Sequence, residues 1–259
     1  SVISFIGGAA TLAFASIGVL ASQSMKRASA YFVLMSSGTL LATFGISQPA
    51  STAGALFYMV SSTLAVSAFF LVVELLEREQ DAASSVLAVT LEAYGDGEDE
   101  VEEELEVGRI MPGAVAILGI GFALVSLVLI GLPPLTGFLS KFAILSAIIG
   151  PGAAELGSPT LRGVLAFLVV VSGLVALIAL SRMGIRTFWA PVEPFTPRVT
   201  VLETGPILLL LALLIVFMLT AGPAMDLMNA TAADLHAPER YLEAVLGAER
   251  VPPYAESQP

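Results

Sequence analysis

Apolar positions crowd this chain into long, nearly uninterrupted stretches, with charges confined to the gaps between them. A bilayer core of ~30 Å needs about 20 apolar residues of helix. Five stretches reach that length with little or no internal charge: about 2–22, 28–46, 53–76, 161–180 and 204–225. A sixth region, 111–150, would be roughly 60 Å long as one helix, about twice the core, so it is either two crossings or one interrupted crossing.

Basic residues decide between these, because loops on the inner side carry the excess of Lys and Arg. With one crossing, Lys26, Arg27, Arg78, Arg109, Arg182, Arg186 and Arg198 fall on one side and, among the loops, only Arg162 on the other. With two crossings the split becomes nearly even. The pattern therefore predicts an all-α integral membrane protein of about six transmembrane crossings, one of them a discontinuous helix. The first residues and the tail lie on the outer side. An acidic cytoplasmic loop is expected over 80–109, solvated and mobile, then a cytoplasmic connection at 184–203, a last transmembrane helix at 204–226 and an amphipathic C-terminal tail at 227–259. Within that tail, 231–246 has the spacing of a short surface helix.

Composition agrees: 56% of residues are hydrophobic and 13% charged, too apolar for an ordinary soluble domain. The formal charge of −11 is mostly local, because nine acids lie between Glu92 and Glu106. No basic patch exists to neutralise phosphates, which argues against nucleic-acid binding. With no cysteine and a single histidine, His236, neither a metal site nor a cofactor is expected.

The discontinuity is explicit in "GLPPLTGFLSKFAIL" (Gly131–Leu145). Pro133 and Pro134 remove two backbone donors and push the preceding residue out of helical geometry, and Gly137 follows. Carbonyls freed in lipid need partners, so such a break belongs where protein or water surrounds it. Half-helix ends at mid-membrane are a recurring ion site. Lys141 lies two helical turns beyond, too deep to snorkel easily. A charged lysine at mid-span costs ~2.5–3.5 kcal/mol on insertion scales, so it marks a cavity or a relay. Burial disfavours the charged form of a lysine, which suits such a group to gain and release a proton near neutral pH. The plainer alternative is an interfacial anchor.

Hydroxyls on the second and third spans could hold a water chain: Ser36, Ser37 and Thr39, then Ser61, Ser62, Thr63 and Ser67. Small hydroxyls are also ordinary packing residues. Glu74, near the inner end of the third span, is either part of an interfacial ion pair with Arg78 or the mouth of a proton path. Lys26 and Arg27 read as inner-side anchors first and relay members second.

These motifs together resemble the antiporter-like subunits shared by respiratory complex I, membrane-bound hydrogenases and Mrp cation/proton antiporters. "GLPPLTGFLSKFAIL" is similar to the family's discontinuous helix, and "SQSMKRASAYFVLMSSG" (Ser22–Gly38) to its aspartate–x–lysine–arginine–x–x–alanine–tyrosine motif, carried by Lys26, Arg27, Ala30 and Tyr31. "FFLVVELLERE", "FWAPVEP" and "TAADLHAPERYLEAVL" resemble the D-subunit branch of the Mrp antiporters.

The resemblance implies that 1–183 is the second antiporter-like helical repeat, that the chain covers the second half of the family's usual length, and that Lys141 and Lys26 are relay lysines. It implies a proton-translocating subunit of a multi-subunit Na+ or K+/proton antiporter in the bacterial inner membrane. Its partners would be the other subunits, the lipid bilayer, protons and the cation. Such a protein is a secondary transporter subunit rather than an enzyme. The pump subunit of a redox-driven complex and a non-conducting scaffold remain as alternatives. Two departures stand out. Ser24 replaces the motif aspartate, removing a local charge partner for Lys26. Ser62 and Val66 stand where several relatives carry histidine and lysine.

Overall fold

A computed structural model describes residues 2–94, 113–150, 158–189 and 201–237, with 239, 242 and 245–247 beyond. Among these residues every regular element is helical. Helices α1 (Val2–Ala21), α2 (Met25–Ile46) and α3 (Pro49–Tyr94) are followed by α4 (Gly113–Ile130) and α5 (Thr136–Ile149). Next come α6 (Pro159–Gly184), which ends in a π-helical stretch (Ile185–Trp189), then α7 (Val201–Leu219) and α8 (Ala221–His236).

The interior is apolar and closely packed. Phe57, Phe69, Leu76, Leu118, Ile144 and Leu165 are fully buried. An aromatic ladder ties α2, α3, α4 and the π stretch together, with ring centroids 5.5 Å apart for Phe32–Phe69, 6.0 Å for Phe69–Phe122 and 5.6 Å for Phe122–Phe188. The outside is apolar too. Ile3, Ile17, Phe167, Val170 and Leu209 are all exposed, which suits lipid or neighbouring subunits rather than water.

Four helical stretches, Val2–Ala21, Met25–Ile46, Pro49–Arg78 and Pro159–Phe188, are long and apolar enough to cross a membrane, and α7 with α8 forms a fifth candidate bent by 78°. α4 and α5 are apolar helices each too short alone to be such a candidate. Their neighbours on α3 show that the two run in one direction along it, as a single interrupted crossing would. Phe122 of α4 stacks near Phe69, Thr136 bonds to Ser61, and the backbone of Ala143 and Ile144 faces Gly54. As α4–α5 advances, α3 is met in reverse order.

The cations gather at one end of this bundle, as the charge pattern predicts. Arg78 pairs with Glu203 at 2.6 Å. Arg182 donates to the carbonyls of Leu20 and Ser22, both at 2.8 Å, and Arg186 donates to Gln23. Arg162 starts α6 at the opposite end, whereas Arg109 and Arg198 lie outside the described residues.

Three boundaries differ from the sequence reading. α2 starts at Met25 because Ser24 caps it, its hydroxyl accepting from the Arg27 N–H at 3.3 Å; a short polar side chain in that role satisfies an orphan donor. α3 runs on to Tyr94, into the stretch read as loop from 80. Residues 81–94 contain no glycine or proline to stop a helix, and 95–112 lie outside the described residues. α7 ends at Leu219, within the stretch read as one helix to 226, and α8 begins ten residues before the predicted surface helix. Pro223 is tolerated there because first-turn N–H groups have no intrahelical partner. α8 reaches the start of α3, where the Thr52 hydroxyl meets His236 Nε2 at 2.9 Å. The segment 190–200 and most residues after Ala237 lie outside the described residues.

Candidate functional site: an ammonium on a broken helix

In a helix the N–H of residue i bonds to the carbonyl of i−4. Prolines at 133 and 134 therefore leave the carbonyls of Leu129 and Ile130 without their donors. Those two oxygens are the ones that Lys141 takes: its Nζ donates to Leu129 O at 3.2 Å and to Ile130 O at 2.9 Å. The side chain folds back across the break to do so, its Cδ lying over Gly131. That glycine turns the chain at a φ of 85°, a region costly for residues with a Cβ. The amides of Gly131 and Leu132 fold back to Leu127 O, closing the end of α4. The C-terminal end of a helix carries partial negative charge, which favours a cation there.

α5 can start so close to α4 only because residue 137 is glycine. A Cβ there would lie 1.8 Å from the Val128 carbonyl oxygen. Pro133 and Pro134 lie between α4 and α5, and Gly137 lies in the first turn of α5.

The ammonium is deep. It approaches Gly173 of α6, fourteen residues from Pro159 and eleven from Gly184, so about 21 and 17 Å from the two helix ends at 1.5 Å per residue. No carboxylate pairs with Lys141 among the described residues.

A set of buried hydroxyls lies beside the break. Ser61 donates to Thr136 Oγ1 at 2.9 Å, and its neighbour Ser62 accepts from Ser36 at 2.8 Å. The buried Tyr58 hydroxyl faces the hydroxyls of Thr39 and Ser36. Of the predicted hydroxyls, Ser36, Thr39, Ser61 and Ser62 are brought together. Ser37, Thr63 and Ser67 are not. All three are exposed, since each residue turns the helix by 100° and neighbours in sequence point different ways. Sequence reasoning missed Tyr58 and Thr136. Tyr58 sits three and four residues before Ser61 and Ser62, on the same helical face, and Thr136 directly follows the break.

Lys26 lies elsewhere, at the cationic end. Its exposed ammonium is 3.5 Å from Glu77 and 3.8 Å from Glu74, and Glu77 also accepts from the Lys26 backbone N–H. The aspartate absent at position 24 is thus replaced across space by α3. Arg78 turns to Glu203, so the predicted Glu74–Arg78 pair gives way to Glu74–Lys26.

A family described as "NADH:quinone oxidoreductase/Mrp antiporter, TM" matches residues 1–156. The chain belongs to this family. It is 54% identical over 246 residues to the D subunit of a probable K(+)/H(+) antiporter of Rhizobium meliloti, covering 94% of this chain and 46% of that relative. It is 28% identical over 244 residues to the D subunit of a Na(+)/H(+) antiporter of Bacillus subtilis, covering 92% and 43%. Among solved structures, the Mrp complex from Dietzia sp. superposes with a TM-score of 0.62 at 16% identity, covering 95% of this chain and 49% of the other; that likeness concerns the fold. The chain spans about half the length of the curated relatives it matches. Its family is one of transmembrane subunits that the description places in NADH:quinone oxidoreductases and Mrp antiporters.

Proposed function

We propose that this chain provides a proton-translocating half of a multi-subunit antiporter that exchanges Na+ or K+ for protons across the bacterial inner membrane, with Lys141 as the relay. The observation that carries this reading is the ammonium at mid-depth, held by the two carbonyls that Pro133 and Pro134 leave without donors. Carbonyl acceptors stabilise the charged form without neutralising it, and no carboxylate among the described residues locks it in place. Lys141 can therefore release a proton and regain it. Beside the break, the hydroxyls of Thr136, Ser61, Ser62, Ser36, Tyr58 and Thr39 form a polar file between α2, α3 and α5. Lys26 with Glu74 and Glu77 forms an ionic mouth at the cationic end.

The relatives include subunits of K(+)/H(+) and Na(+)/H(+) antiporters. The test is Lys141→Ala in the full complex, assayed in vesicles for pH-driven cation exchange. Exchange is expected to vanish with assembly intact; a full exchange signal refutes the relay.

The family description also covers NADH:quinone oxidoreductases, which supports a second reading as a pump subunit of a redox-driven complex. Proteins co-purified after mild detergent extraction decide: further antiporter subunits support exchange, and flavin- or iron–sulfur-containing subunits support the redox complex. A non-conducting scaffold predicts tolerance of Lys141→Ala.

A further inference from the structure

The ammonium has a third neighbour besides the two carbonyls. α6 crosses the break at Gly173, and a Cβ built there would lie 2.9 Å from Ile130 O and 3.5 Å from Lys141 Nζ. The first distance is shorter than real Cβ atoms show, and its partner is backbone, which cannot move as a flexible side-chain tip can. Any side chain at 173 must therefore displace the closer acceptor of the ammonium, or push α6 away from it.

We propose that Gly173 is a positioning residue for Lys141, holding the Ile130 carbonyl in line with the ammonium by presenting bare backbone. The inference rests on the relay reading of Lys141. Gly173 acts only through the Lys141–Ile130 hydrogen bond, the shorter of the two at 2.9 Å. Residues on either side of it do not share this role. Ser172 is buried and bonds within its own helix to Val169 O, and Leu174 is exposed.

α6 supplies its own control. Gly163 lies in the same helix, and a Cβ there meets nothing within 4 Å. Gly163→Ala and Gly173→Ala make the same backbone change in one helix, and only the second crowds the ammonium.

The experiment is the pH profile of cation exchange in vesicles carrying the full complex with each variant. The protonated amine donates to both carbonyls, so misplacing one acceptor favours proton release. The alkaline limb is expected to move to lower pH by about one unit in Gly173→Ala, the order of effect of one charge-assisted hydrogen bond. Gly163→Ala is expected to follow the unsubstituted profile. Superposition of the Gly173→Ala and Gly163→Ala profiles overturns the proposal.

Assembly on heating is followed in parallel, because Gly173→Ala can also loosen packing. A loss that Lys141→Ala relieves, by freeing the volume into which the carbonyl can swing, supports crowding at the ammonium. A loss that Lys141→Ala leaves unchanged overturns it. Full exchange in Lys141→Ala alone refutes the relay reading itself, so the two failures are distinguishable.

Discussion

Replacing Lys141 by methionine tests whether the lysine is there for chemistry or for stability, and the opposing energies can be estimated. Methionine keeps most of the side-chain length and removes the charge and the donors. Two hydrogen bonds to a charged group are lost, at about 1.5–3 kcal/mol each, hence about 3–6 kcal/mol. Against this, the protein no longer holds a cation at mid-span, a relief of about 2.5–3.5 kcal/mol on insertion scales. The two nearly cancel, leaving a net destabilisation of about 0–3 kcal/mol. For a chain of this size that lowers the thermal midpoint by no more than about 10 °C. The assay follows dissociation of the purified complex on heating, beside exchange in vesicles. Lys141→Met is expected to assemble, unfold slightly earlier and exchange nothing. Failure to assemble at growth temperature would refute the cancellation and make the ammonium chiefly a structural clamp. Exchange at the unsubstituted rate would refute its role in transport.

Three further outcomes follow from the geometry. Gly137→Ala places a Cβ 1.8 Å from Val128 O where ordinary contact starts at 3.4 Å, so the break must open by about 1.6 Å; thermal midpoints should fall by more than those of Gly163→Ala, and equal midpoints would contradict the close approach of α5 to α4. Tyr58→Phe removes the hydroxyl facing Thr39 and Ser36 and leaves the ring in place; exchange in vesicles should slow by about tenfold, the equivalent of one buried hydrogen bond, and an unchanged rate would remove Tyr58 from the path. Lys26→Gln dissolves an exposed pair with Glu74 and Glu77, and such pairs contribute little; exchange should fall less than in Lys141→Ala, and an equal loss would place Lys26 in the relay itself.

The membrane class, the all-helical fold and the interruption between α4 and α5 were legible because each rests on local chemistry. Long apolar runs have one solvent that suits them, and two prolines delete two known donors. Even the acceptors of Lys141 follow from i−4 arithmetic on Pro133 and Pro134, once the lysine is known to fold backward. That fold-back was not legible, because it depends on Gly131 turning the chain and on Gly137 letting α5 start beside Val128. The partner of Lys26 was hidden for a similar reason: Glu77 is 51 residues away, and only the α2–α3 pairing brings it near. The continuation of α3 to Tyr94 was missed because an acidic run was read as loop from its start, although nothing before Gly95 stops a helix. Tyr58 was overlooked as one aromatic among many, since a phenol's neighbours, rather than its sequence, separate a core ring from a polar link.

A helix broken at mid-membrane and a lysine at mid-membrane each cost several kcal/mol when alone. Joined, each supplies what the other lacks: the break offers two acceptors and a negative helix end, and the lysine offers donors and a positive charge. The pairing stops short of neutralisation. A carboxylate against the ammonium would make proton release costly, because an unpaired anion would remain in the interior. Carbonyls remain neutral whichever form the lysine takes, and the amine keeps N–H groups that can still donate to them. The same two contacts therefore support both protonation states with different strength, which is what the proposed relay requires of the groups around Lys141.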